Sequence, residues 1–165
     1  MTSGADIRRY EDADLEAIVE FSLRAWAGVH ESLREVLGDP IFSRLHQPDW
    51  RAVQAEAVRS SCTSQDRDVF VALVDGHPVG FAAVALNAFH EGMGVVDMIA
   101  VDPAYQRRGI ATQLMNRSAD HMREQGMDIA AVGTGGDPGH EPARAMYEAS
   151  GYTALPGVRY LKLLS

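Results

Sequence analysis

The hydrophobic and polar positions fall into segments of two periods. Ile7 to Tyr10 is short and strand-compatible. Glu11, Asp12 and Asp14 follow, then Leu15, Ile18, Val19 and Trp26 at helical spacing. Acids ahead of a helix complement the positive end of its dipole. A second helical piece is expected over 29–37, ending at Gly38, and a third over about 49–61, with Pro40 and Pro48 breaking the chain between them. The period then changes. DVFVALVDGHPVGFAAVAL holds two apolar runs around Asp75-Gly76, a hairpin signal that predicts strands at 68–75 and 78–86. NAFHEGMG reads as a loop, and 94–101 as a strand rich in β-branched residues. Over 107–125 the helical period returns: Ile110, Ala111, Leu114, Met115, Ser118 and Met122 share one arc, and Gly126 ends the helix. DIAAVGT, 128–134, reads as a buried strand and GGDPGH as a loop. Pro142 suits the first turn of a helix that stops at Gly151. The tail, to about 164, holds two short strand-like pieces. The order of elements defines an α/β protein with a mixed sheet, in a single domain over 1–165.

Composition narrows the function classes. The chain has 165 residues, 46% of them apolar, and a net charge of −8. An acidic balance disfavours nucleic acid as a partner, because phosphate backbones call for a basic face. The single cysteine, Cys62, rules out an internal disulfide and fits a reducing compartment. Within SSCTS it reads as a small residue on a helix flank rather than as a nucleophile. No signal-type apolar stretch occurs in MTSGADIRRYEDAD, and no run reaches the length of a membrane span, so the expected setting is the cytoplasm, without a membrane partner.

One window departs from the acidic background. From Pro103 to Ala119 there is no acid, but three arginines, Arg107, Arg108 and Arg117. The window begins where a strand gives way to a helix. A helix start offers free N–H groups and about half a positive charge. Most helices place Asp or Glu there; this one places Gln106, Arg107, Arg108 and Gly109, with a hydroxyl at Thr112. Such a start is a ready site for a phosphate group. An exposed basic turn with a helix-starting glycine is the plainer alternative.

The residues Val101, Pro103, Tyr105, Gln106, Arg108, Gly109, Ile110 and Ala111 resemble the acyl-CoA-binding motif of the GNAT superfamily of N-acetyltransferases, Q/R-x-x-G-x-G/A after the fourth strand. ARAMYEASGY, 143–152, resembles the family segment A-x-x-x-Y-x-x-x-G-F/Y through Ala143, Tyr147, Gly151 and Tyr152. His140 stands where the family often has Asn. The resemblance implies a mixed, mostly antiparallel sheet of six or seven strands flanked by four or five helices. It also implies transfer of an acetyl group from acetyl-CoA to a primary amine. Arg107, Arg108, Gly109, Ile110, Ala111 and Thr112 are the implied pyrophosphate binders, and Ile99, Ala100 and Val101 the edge for the pantetheine arm, with His140 and Tyr147 as further cofactor contacts. Tyr147 is the implied general acid and Asp97 the candidate general base, with Glu91 and His90 behind it. Trp26, His30 and Glu31, with Glu35, are the implied acceptor wall. A homodimer is the expected assembly.

Competing readings are fewer. Gly133, Gly135 and Gly139 give G-x-G-x-x-x-G, which misses the dinucleotide fingerprint. The six histidines are scattered without metal-ligand spacing, so no metal is expected. Met93, Met98, Met115, Met122 and Met127 read as core filler. The rival of another class is an acyl-CoA-binding sensor without chemistry, which the same cradle would serve. Tyr147 with a base separates the two.

Overall fold

Asp75 and Gly76 have positive φ angles of 50° and 77°, the backbone that a two-residue hairpin turn requires. They join β2 (Asp68–Val74) to β3 (His77–Ala85). The computed structural model describes residues 4–165; the first three residues of the N-terminal stretch lie outside it. Among the described residues the sheet has five strands in chain order: β1 (Asp6–Arg9), β2, β3, β4 (Met93–Val101) and β5 (Ile129–Val132). The first four are antiparallel, and β5 runs parallel to β4.

The alternation along the strands feeds two cores. Val69, Val71 and Leu73 point to one face with Phe81 and Ala83, under Ile18 and Phe21 of α1 (Leu15–Leu37) and Val58 of α3 (Trp50–Thr63). Phe70, Ala72, Ala82 and Val84 point to the other, under Ile110, Leu114, Met115 and Met122 of α4 (Ile110–Glu124) and Tyr147 of α5 (Glu141–Ala149). α4 lies close: a Cβ on Gly94 would stand 2.6 Å from Met122 Cγ, so this glycine sets the depth of the helix on the sheet. Cys62 is 5% exposed, and burial, with Asp14 nearby, pushes its thiol up to about 12. It is a core residue.

Four expectations are corrected. The helical pieces before and after Gly28 form one helix, α1, because the faces they bury are continuous and a mid-helix glycine costs only about 1 kcal/mol. Pro40 starts a short helix, α2 (Asp39–Leu45), rather than breaking one, since proline in a first turn removes an N–H that has no partner anyway. β5 is not a buried strand: it is the sheet's edge, and Ile129 is 55% exposed. The expected strands in the tail are absent, which leaves five strands rather than six or seven. Residues 152–165 carry no regular element, and Leu155, Val158, Tyr160 and Leu164 stand at least 82% exposed. Strand-like alternation forms no ladder without a neighbouring edge to pair with. No described helix is long and apolar enough to cross a membrane.

Candidate active site

The site begins with a fault in strand pairing. Ala83 pairs with Met98 and Val84 with Val96, so Asp97 is the extra residue of a bulge in β4. On the other side, β5 accompanies β4 only along Met93 to Val96. Beyond the bulge, β4 runs on to Val101 paired with β3 but, among the described residues, with no strand on its other side. A cleft of about 740 Å³ opens there, walled by β4, the start of α4, α5 and part of α1. Ile99, Ala100 and Val101 line it. An unpaired strand edge is a template for another extended chain.

At the end of β4 the chain is turned and pinned. Asp102 N–H donates to Val79 O at 2.8 Å, and the Asp102 carboxylate accepts from Ala104 N–H at 3.0 Å and from Arg24 Nη2 at 2.9 Å. Gln106 Nε2 donates to Val101 O at 3.1 Å. Arg107 and Gly109 then take positive φ, 62° and 79°. Helix α4 follows, with Gln113 N–H donating to Gly109 O at 3.0 Å. No side chain caps it and no acid lies in its first turn. The N–H groups of Ile110, Ala111 and Thr112 therefore have no acceptor within the helix, and these residues line the cleft with Arg107 and Gly109. A Cβ on Gly109 would meet nothing within 4 Å. The space beside this helix start is open, and its charge favours an anion. Arg108 is placed differently. Its guanidinium lies over the Tyr105 ring at 5.0 Å and donates to Ala104 O at 3.3 Å. It braces the turn and does not line the cleft.

Tyr147 reaches the cleft from α5. It is 8% exposed, and burial, with Tyr152 nearby, pushes its phenol up to about 12. At neutral pH it keeps its proton. Asp97 also lines the cleft, but its Oδ2 already accepts from Arg67 Nε at 2.9 Å. His90 and Glu91 lie in the loop before β4, away from the cleft.

The expected acceptor wall divides. Trp26 lines the cleft, edge-on to Phe81 at 6.3 Å. His30 does not. It is 7% exposed, stacks on Trp50 at 4.3 Å, and shares a 3.2 Å hydrogen bond with Gln54 Oε1. Burial lowers its pKa from the ordinary 6.5, with repulsion from His46 and His140 adding to this against the Gln54 bond. It is a neutral core histidine. Glu31 faces a separate hollow of about 390 Å³ between α1, α2 and α3, beside Arg34; Glu35 is exposed. Val29 and Gln54 complete this side of the cleft instead. Gln54 carries no motif, and only the pairing of α1 with α3 reveals it. His140 lines the cleft, and it is paired with a residue that the sequence reading left out, Asp137.

A cleft beside a broken strand pair, an uncapped helix start and a buried phenol meet on one side of the sheet. Residues 29–152 match the model of the acetyltransferase (GNAT) family, and the chain belongs to that family. Over 81 residues it is 33% identical to the mycothiol acetyltransferase of Beutenbergia cavernae, covering 49% of this chain and 27% of that protein. Over 112 residues it is 26% identical to the uncharacterized N-acetyltransferase YafP of Escherichia coli, covering 66% of this chain and 61% of that one. The matches thus span only about a quarter to three fifths of these relatives' lengths. Among solved structures, AAC(6')-Iy in complex with the bisubstrate analogue CoA-S-monomethyl-acetylneamine superposes with a TM-score of 0.67 at 20% identity, covering 99% of this chain and all of that one. The mixed α/β architecture is that of the family.

Proposed function

We propose that the protein transfers an acetyl group from acetyl-CoA to a primary amine by direct attack on the thioester. The observation that carries this reading is the continuity of one cleft. It runs from the helix start at Gly109, along the unpaired edge of β4, to the Tyr147 hydroxyl. Arg107 and the N–H groups of Gly109 to Thr112 are suited to the pyrophosphate, with Arg108 bracing the turn. Ile99 to Val101 offer backbone groups to the pantetheine arm and an N–H to the thioester oxygen as it becomes negative. Tyr147, still protonated at neutral pH, gives its proton to the departing thiolate. The acceptor enters beside Trp26, Val29 and Gln54. CoA in the ligand of AAC(6')-Iy agrees with the cosubstrate, and its acetylneamine portion agrees with an amine acceptor.

Thermal unfolding with acetyl-CoA, coenzyme A and NAD is the first test. At about 100 times its dissociation constant a ligand stabilises by roughly 2.7 kcal/mol, a rise of about 5–11 °C for a domain of this size. Acetyl-CoA and coenzyme A should both raise the midpoint and NAD should not. No shift at millimolar acetyl-CoA would remove the reading, and turnover with any amine would exclude a sensor without chemistry.

The assembly belongs to the same reading. The far edge of β5 is unpaired among the described residues, and the tail exposes Val158, Tyr160 and Leu164. A second copy laying its tail along β5 covers both liabilities, so a homodimer is the assembly that these surfaces favour.

A further inference from the structure

We infer that His140, held by Asp137, is the general base of this transfer; the inference rests on reading the cleft as an acetyl-transfer site. The two residues lie in the loop between β5 and α5. Asp137 is 8% exposed at its side chain and His140 20%. His140 Nδ1 is hydrogen-bonded to Asp137 Oδ1. A carboxylate can only accept, so Nδ1 carries the hydrogen, and in the neutral ring the lone pair sits on Nε2. The imidazole lines the same cleft as Tyr147.

The loop is built to hold this pair. Ser32 Oγ, from α1, donates to Asp137 Oδ2 at 2.6 Å, so both carboxylate oxygens are engaged. Gly139 N–H donates to the same Ser32 Oγ at 2.9 Å. Arg144 Nη1 clamps the loop backbone, donating to Gly135 O at 2.7 Å and Asp137 O at 2.8 Å. Two glycines make room for it. A Cβ on Gly139 would stand 2.6 Å from Ser32 Cβ, and one on Gly135 would stand 2.5 Å from His140 Nδ1. Burial alone would raise the Asp137 carboxyl, but the bonds from Ser32 and His140 hold it below the ordinary 3.8, so it stays anionic beside the ring. Asp97, the alternative base, has an oxygen committed to Arg67.

The ionisable groups around the imidazole have separable roles. His30 of α1 is neutral, Tyr147 of α5 is protonated, and the Arg144 guanidinium is bound to loop carbonyls. Asp97 of β4 and Arg107 of the turn stand on other walls of the cleft; Glu141 follows His140 in the chain and is exposed. In the reaction, Nε2 takes one proton from the substrate ammonium, and the freed electron pair forms the C–N bond at the thioester carbon. The C–S bond breaks and the thiolate takes the Tyr147 proton. Tyr147 regains one from the new amide nitrogen, and His140 releases its own to solvent. One proton is released per turnover.

The test separates a base from a cofactor contact. In steady-state assays of coenzyme A release with an amine that the enzyme accepts, His140→Asn should lower kcat by about 10²–10⁴-fold and leave KM for acetyl-CoA near wild type. Asn is the residue the family often has here, so a wild-type rate would overturn the inference. Hydroxylamine, whose nitrogen is already neutral at pH 7, needs no base, and His140→Asn should keep most of its rate with it; equal loss with both nucleophiles would return His140 to a structural role. Asp137→Asn should lower kcat with the amine while keeping most of the hydroxylamine rate and the KM for acetyl-CoA; equal loss with both nucleophiles counts against the pair. Should His140→Asn fail to fold, His140→Gln carries the same comparison of the two nucleophiles. Absence of acetyl-CoA binding would sink the acetyl-transfer reading and the base with it, whereas turnover indifferent to His140 would sink the base alone.

Discussion

Tyr147 and His140 differ in what the sequence could say about them. The tyrosine is placed by local spacing, four residues after Ala143 and four before Gly151, and the structure puts its ring at the cleft. Tyr147→Phe should lower kcat by about 10²–10⁴-fold if it is the proton donor, with the acetyl-CoA-induced rise in Tm retained. A wild-type rate across pH would make Tyr147 a core aromatic only. His140 was legible as a cleft residue, but its partners were not. Ser32 and Asp137 are separated by 105 positions, and no periodicity reports a contact at that range. The opposite error occurred at His30. It follows Trp26 and Val29 on the same helix, yet its position on the wheel turns it towards Trp50 and away from the cleft. Composition marks the chemistry a residue can do, and packing decides whether it faces the substrate.

At the scale of elements, the period changes gave all five strands and the long helices, because burial on one face imposes a period of 2 or 3.6. What failed were ends and punctuation. The helix expected from 107 begins at Ile110, since Arg107 and Gly109 take left-handed backbone to shape the anion turn. That local violation of helix geometry leaves open the helix start that the proposed reading assigns to the diphosphate. Gly109→Glu should abolish coenzyme A binding. It forces a side chain into a φ of 79°, fills the open space, and sets a negative charge where the diphosphate lies. Isothermal titration with coenzyme A checks it, and an unchanged affinity would move the phosphate site elsewhere. The bulge at Asp97 was invisible in the sequence, because it depends on the register of β3 and β4 rather than on either strand alone.

For the whole molecule, the sheet proposed to hold the cosubstrate has, among the described residues, an open border at β5. Light scattering should find a mass of two 18.0 kDa chains, and Tyr160→Asp with Leu164→Asp should return monomers that unfold at lower temperature. A wild-type monomer would leave the tail without a partner copy. The tail to about 164 reads as strand-like in the sequence because alternation reports what a segment is fit to pair with, whereas in the structure the tail pairs with no strand and leaves the β5 edge open. Cys62, enclosed between α3 and the sheet with its thiol pushed up to about 12, has a practical consequence. A chromogenic thiol reagent reads only the coenzyme A that the enzyme sets free, since thiolate is the reactive form and the protein's own sulfur is sealed. One equivalent of colour without substrate is then a direct count of molecules that have lost their core.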